Sequence, residues 1–293
     1  MPASNVLSFR NADGRRIAWH EFGQPDGRPV FYCHGFPSSG REAALLHQPA
    51  TALGLRLIAP DRPGYGGSDD QPGLELRDWP TDLAALADHL GIERFALLGL
   101  SGGGPYALAC AWRLPERLSA RILVCPLGPV YLQEVLAAMH RPARSSLALA
   151  KRSPWLAQRL YGGPTPWLLA RWPGLVEHVR TLNLPSKDLT ALSAGDNQAI
   201  LNSTIGDAMA RGARGARRDL HLYTHDWRIP CDAIHAPISI WHGEADATVP
   251  PAHARWYRDH LSGANLTTLP DQGHFSLPIH FGERILRGLI ADD

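Results

Sequence analysis

The chain is short of the features that mark secreted, membrane-spanning or nucleic-acid-binding proteins. Four cysteines in 293 residues are too few for a disulfide framework, and Cys33, Cys110 and Cys125 lie in apolar stretches that suit buried free thiols. A reducing, cytoplasmic compartment is the expectation. No apolar run approaches the length of a bilayer span, so no stable membrane insertion is expected. The first twenty residues carry Asp13 and three arginines and have no apolar core, so no signal peptide is read there. A net charge of +1 gives no reason to expect a nucleic-acid partner. Fourteen histidines invite a metal hypothesis, yet neither H-E-x-x-H nor paired C-x-x-C occurs, and no metal site is expected. Internal repeats and low-complexity segments are absent too.

What is present is a rhythm of short apolar strands and longer helices. Val6 to Phe9 and Arg16 to Phe22 read as a hairpin around Ala12-Asp13-Gly14. Pro29 to Cys33, Leu55 to Ala59, Phe95 to Leu98 and Arg121 to Cys125 read as buried strands. Arg41 to Leu53 and Leu76 to Leu90 have helical spacing, the latter with Leu83, Leu86, Ala87 and Leu90 on one face. Such alternation predicts an α/β fold with a mainly parallel, doubly wound sheet. The rhythm breaks at Pro126 and resumes at Pro237 with strands at Ile238–Trp241 and Leu266–Leu269 and helices at Ala252–Leu261 and Phe281–Ile290. The intervening stretch shows helical segments around Leu132–Met139, Ser145–Lys151, Trp155–Tyr161, Trp167–Trp172, Leu175–Leu182, Lys187–Ala194 and Asn197–Ala210. The expected organisation is a core of residues 1–126 and 236–293 interrupted by an all-helical insertion at 127–235. Residues 128–232 carry thirteen Lys/Arg against eight Asp/Glu, read as a solvated basic face in preference to one that attracts an acidic substrate or a membrane surface.

The chemistry centres on Gly99-Leu100-Ser101-Gly102-Gly103, a G-x-S-x-G pattern between a strand and a helix. A sharp strand-to-helix turn lifts the serine hydroxyl clear of the chain, and Gly99 and Gly103 keep Cβ atoms out of the turn. Pro105 falls in the first helical turn, where a missing N–H costs little. The helix N-terminus aims backbone N–H groups at the place where an oxyanion would form beside Ser101.

A serine hydroxyl needs a base to accept its proton and an acid to orient that base. In chain order after the serine, Asp246 follows the strand at Ile238–Trp241, and His274 follows the strand at Leu266–Leu269. Glu244 and Asp271 are rival carboxylates. The first lies two residues earlier in its turn, and the second is too near His274 in sequence to reach behind the ring. His34-Gly35-Phe36-Pro37 follows the third strand. The N–H of Phe36 is a candidate oxyanion donor because Pro37 has none to give, and the N–H of Gly102 is the other.

The chain resembles the α/β-hydrolases. The elbow, H-G-F-P, Asp61-Arg62-Pro63-Gly64-Tyr65-Gly66-Gly67-Ser68, H-G-x-x-D-x-x-V-P and G-H-F all match patterns of that family, over roughly residues 5–126 and 236–293. The resemblance implies the α/β-hydrolase fold with a helical cap, Ser101, Asp246 and His274 as the triad, Phe36 and Gly102 as the oxyanion hole, and no cofactor. A serine nucleophile argues against the haloalkane dehalogenase and epoxide hydrolase branches, whose ester intermediate requires a carboxylate. His34, Leu100, Trp227 and Phe275 are expected to line the substrate pocket. A small-molecule ester is the expected substrate. Carbon–carbon, amide or peroxide chemistry by the same triad is an alternative, as is a non-catalytic binding protein on the same fold.

Overall fold

The computed structural model describes residues 6–153 and 184–290, together with Trp155, Leu156, Arg159 and Arg171. The hairpin forms as expected: β1 (Leu7–Arg10) pairs antiparallel with β2 (Arg16–Gly23). Then β3 (Arg28–Cys33) leads through a 3-10 segment (Gly40–Leu46) into α1 (His47–Ala52). Next come β4 (Leu55–Pro60), α2 (Trp79–His89), β5 (Phe95–Leu100), α3 (Gly104–Arg113) and β6 (Leu118–Val124). Five helices follow among the described residues: α4 (Gln133–Ala138), α5 (Arg141–Arg152), α6 (Ser186–Ser193), α7 (Asn197–Met209) and α8 (Arg214–Thr224). The alternation resumes with β7 (Ile238–Gly243), α9 (Ala252–His260), β8 (Ala264–Leu269) and α10 (Ser276–Arg287).

The strands form one eight-stranded sheet in the order β1-β2-β4-β3-β5-β6-β7-β8. Only the pairings of β2 with β1 and β4 are antiparallel; β4 through β8 run parallel. Parallel strands need both faces covered, and the side chains divide accordingly. Phe31, Cys33, Phe95 and Leu97 enter one apolar layer with Leu83 and Leu86 of α2, Leu108 of α3 and Tyr257 of α9. Val30, Tyr32, Ala96 and Leu98 enter the other with Ala50 of α1 and Leu277, Ile285 and Leu286 of α10. β5, with every residue buried, sits inside this sandwich and ends at the elbow.

Three of the departures from the sequence reading have a clear physical cause. The single helix expected over Arg41–Leu53 divides into a 3-10 segment and α1. Pro49 has no N–H to continue an α ladder through this stretch, and it is tolerated only in the first turn of a new helix. α10 starts at Ser276, five residues before the expected Phe281, because Pro278 is also accommodated in a first turn. α8 was not anticipated at all. Its buried face mixes Gly215, Ala216, Asp219, Leu220 and Tyr223, so a charged residue interrupts its apolar stripe. The helices expected over Trp155–Tyr161, Trp167–Trp172 and Leu175–Leu182 lie outside the described residues, apart from Trp155, Leu156, Arg159 and Arg171, which are helical. Among the described residues no strand lies between β6 and β7, and no helix is long and apolar enough to cross a membrane.

Candidate active site

The turn after β5 has the tightness its glycines suggest. Ser101 has φ of 53°, left-handed and strained for a residue with a side chain. A Cβ on Gly103 would collide with the carbonyl oxygen of Cys33, and one on Gly99 would stand 2.7 Å from the Ala107 Cβ. The Ser101 carbonyl accepts the Leu127 N–H at 2.9 Å, tying the elbow to the chain leaving β6.

Three loop ends bring the polar side chains together. His274 Nε2 lies 3.0 Å from Ser101 Oγ, and His274 Nδ1 lies 2.7 Å from Asp246 Oδ2. An ionised carboxylate only accepts, so the ring proton belongs on Nδ1 and the Nε2 lone pair faces the serine hydroxyl. Asp246 Oδ1 accepts the N–H groups of Thr248 and Val249, each at 2.8 Å. Burial pushes the Asp246 carboxyl up, but the His274 ring and these donors hold it below its usual value. Burial pulls His274 down, yet the Asp246 carboxylate outweighs it and the imidazole sits above its ordinary value. The rival acids point elsewhere: exposed Glu244 accepts the Thr268 hydroxyl at 2.9 Å, and exposed Asp271 faces Lys187 at 3.7 Å.

Phe36 and Gly102 lie against each other. A Cβ built on Gly102 would sit 2.6 Å from Phe36 Cβ, 2.7 Å from the Tyr223 hydroxyl and 3.2 Å from Phe36 N. Only glycine fits there. The Phe36 N–H has no hydrogen-bond partner among the described residues, and Gly102 opens the turn into α3, where N–H groups lack intrahelical acceptors. A cavity of about 270 Å³ opens over Ser101 and His274. Its walls are mainly apolar: Phe36, Leu45, Leu100, Phe275, and Leu201 and Ile205 from α7. Glu42 is the further ionisable group in the described wall. It accepts the Gly35 N–H at 2.7 Å and the Tyr32 hydroxyl at 3.0 Å, and burial pushes its carboxyl up.

Of the four residues named for the substrate pocket, the structure puts Leu100 and Phe275 in the wall of this cavity. His34 lies outside it. Fully buried beneath the loop, it receives the Arg62 N–H on Nε2 at 3.3 Å, and burial together with Arg62 drives its pKa well down. Trp227 lines a separate surface depression with Glu75, His221 and Asp226, packed edge-on to Tyr131 and Trp256.

Two acids from the helical stretch reach this centre without any local motif to announce them. Asp188 of α6 accepts the N–H of His274 at 2.9 Å, of Phe275 at 3.1 Å and of Ser276 at 2.8 Å, capping α10. Asp219 of α8 pairs with Arg62 at 2.7 Å. One cluster of metal-ligating types occurs among the described residues: Cys125, His242 and Asp246, with donor atoms within 4.8 Å of one another. All three are buried, burial pushes the thiol up, and His242 Nε2 stands 2.9 Å from the Val249 carbonyl. The arrangement backs Asp246.

A family model described as alpha/beta hydrolase fold matches residues 28–281. A dihydrolipoyllysine-residue acetyltransferase component of an acetoin cleaving system from Pseudomonas putida is 29% identical over 95% of the chain, which spans 66% of that protein's length. A pimeloyl-[acyl-carrier protein] methyl ester esterase from Nitrosomonas europaea is 27% identical over 75% of the chain and 78% of the relative. Among solved structures, an alpha/beta hydrolase fold protein from Nakamurella multipartita superposes with a TM-score of 0.69 at 23% identity, covering 98% of both chains.

Proposed function

The chain belongs to the α/β-hydrolase fold family, and on that premise we propose that it is a cofactor-free serine hydrolase of carboxylic esters with Ser101 as nucleophile. The observation that carries this reading is the unbroken relay from Ser101 Oγ to His274 to Asp246 at 3.0 and 2.7 Å, opening into an apolar cavity. The relatives' names add support, since an acetyltransferase component and a methyl ester esterase both describe the handling of an acyl group.

In the proposed reaction Ser101 Oγ attacks the ester carbonyl while His274 Nε2 takes its proton. The oxyanion of the tetrahedral intermediate lies against the N–H groups of Phe36 and Gly102. Collapse breaks the bond to the alcohol oxygen, which leaves with the proton from His274. Water, deprotonated by the same nitrogen, then attacks the acyl-Ser101 ester; the bond to Ser101 Oγ breaks, that oxygen recovers the proton from His274, and the acid is released. Asp246 holds the Nδ1–H tautomer and stabilises the imidazolium. Residues 127–235 serve as the cap, with α7 supplying part of the pocket wall. Ligand pockets run from about 300 to 1,000 Å³, and a cavity of about 270 Å³ suits a short acyl chain.

The experiment is labelling with a fluorophosphonate, followed by hydrolysis of p-nitrophenyl esters of increasing acyl length. Labelling lost in Ser101→Ala and preference for acetate or butyrate over long chains are expected. An unlabelled folded protein overturns the serine-hydrolase reading; labelling without hydrolysis of any ester moves the chemistry to amide, carbon–carbon or peroxide substrates.

A further inference from the structure

Arg62 lies directly behind the oxyanion loop and is 1% exposed. Its Nη1 donates to the carbonyl of His34, and its Nη2 donates to the carbonyl of Gly35 at 2.9 Å and to Asp219 Oδ2 at 2.7 Å. The Gly35 carbonyl belongs to the same peptide unit as the Phe36 N–H. A peptide group is planar and conjugated. A cation bonded to its oxygen therefore draws electron density from its nitrogen and makes the N–H a stronger donor.

Arg62 remains a cation there. Burial opposes its charge, but the Asp219 carboxylate and the surrounding tyrosine hydroxyls hold its pKa well above the usual guanidinium value. Its guanidinium carbon stands 4.5 Å from the centre of the Tyr106 ring and 5.1 Å from that of Tyr65. Asp219 also accepts the hydroxyls of Tyr65 at 2.8 Å and of Tyr106. The Tyr223 hydroxyl is 3.1 Å from Asp219 Oδ2 and 2.8 Å from the carbonyl of Gly102, with one proton to give to either. The network thus touches both residues whose N–H groups face the oxyanion, and two of its members, Asp219 and Tyr223, come from α8.

We propose that Arg62, Asp219 and Tyr223 are positioning residues that lock and polarise the Gly35–Phe36 peptide and fix Gly102 from behind, making α8 a structural part of the oxyanion hole. The inference rests on the reading of Ser101 as an acylated nucleophile. None of the three residues touches substrate, and the benefit arises when the carbonyl oxygen acquires charge.

The test uses Arg62→Lys, Asp219→Asn and Tyr223→Phe in the full chain, checked for folding by circular dichroism. A trifluoromethyl ketone, which forms a tetrahedral adduct with serine, is compared with its methyl ketone counterpart, which stays trigonal. In Arg62→Lys and Asp219→Asn, kcat should fall about 10- to 100-fold, below the 10²–10³ of losing an oxyanion donor outright. KM should stay within about 3-fold, and affinity for the trifluoromethyl ketone should fall with kcat, while that for the methyl ketone holds. Tyr223→Phe keeps the ring and the ion pair and should lose about 3- to 10-fold in kcat, the worth of one hydrogen bond. It decides the matter if the other two variants do not fold. Folded variants with wild-type kcat and adduct affinity overturn the proposal, as does equal weakening of both ketones, which marks a general loosening of the pocket. Failure of wild-type Ser101 to take a fluorophosphonate is a different result and removes the parent reading instead.

Discussion

The carboxylate of Asp188 accepts the backbone N–H of His274 at 2.9 Å, across 86 residues of sequence. The residue proposed to move the proton is therefore held by a helix outside the parallel sheet. Asp188→Ala should lower kcat about 10- to 100-fold through a mobile His274. It should also cost about 1–3 kcal/mol of stability, because the N–H groups of residues 274–276, those of His274 and Ser276 buried, lose their acceptor. Steady-state kinetics and thermal melts of the same preparations check both figures. Wild-type turnover in the variant would show that His274 is fixed by its own loop.

Ser101→Ala and His274→Ala should each reduce turnover by a factor on the order of 10⁴–10⁶, and the double variant should be little worse than either. Single-turnover assays on all three proteins measure this. Additive losses would mean that the two side chains do not act as a unit.

The pH dependence follows from the direction of the His274 shift. Asp246 favours the imidazolium and raises its pKa above 6.5, and the base must be neutral to accept a proton. kcat/KM should accordingly rise with pH through an inflection above 6.5. In Asp246→Asn the attraction is gone and burial remains, so the inflection should move down while kcat falls about 10⁴-fold. A pH profile of each protein decides; an unmoved inflection would assign the titration to another group.

Gly102→Ala places a methyl group 2.6 Å from Phe36 Cβ and 2.7 Å from the Tyr223 hydroxyl, closer than real Cβ atoms approach. The loop and α8 must give way, at about 1–3 kcal/mol for overpacking, and the N–H groups of Phe36 and Gly102 separate. A fall in kcat of about 10²-fold or more is expected, with fluorophosphonate labelling slowed in step. Labelling at the wild-type rate would contradict it.

Leu201 of α7 lines the cavity and is buried. Leu201→Ala should lengthen the accepted acyl chain, raising the hexanoate-to-acetate ratio of kcat/KM about tenfold, within the usual worth of a methylene in an apolar pocket. A panel of p-nitrophenyl esters measures the ratio. An unchanged ratio would place the acyl group against another wall.

The contrast between Ser101 and Asp219 explains how much of this was legible in the chain. Strands β3, β4 and β5 are local apolar runs, and the elbow is a local composition, so their type and order follow from short windows of sequence. Asp246 and His274 lie at strand ends in a fixed order, which is almost as local. Asp219 has a role only because Arg62 lies opposite, 157 residues away, and a carboxylate within a stretch of arginines reads as a solvated charge until its partner is placed. Asp188 was hidden for the same reason. His34 was misplaced because a histidine beside a reactive loop looks available, whereas Arg62 and the loop backbone enclose it. Trp227 was misplaced because its aromatic partners lie on α9 and on the chain entering α4, contacts without a local signature.

The helices between β6 and β7 share an apolar layer with the sheet through residues such as Leu136, Leu147 and Leu220, so replacing them to change selectivity reaches the core. Asp188 and Asp219 set the condition for such a graft. A replacement without a carboxylate at the second position would leave the Arg62 charge stranded in the core, at about 3–5 kcal/mol for breaking a buried pair. One lacking the first would leave the start of α10 uncapped. Exchanging these helices is a problem of matching two buried carboxylates before it is one of shaping a pocket.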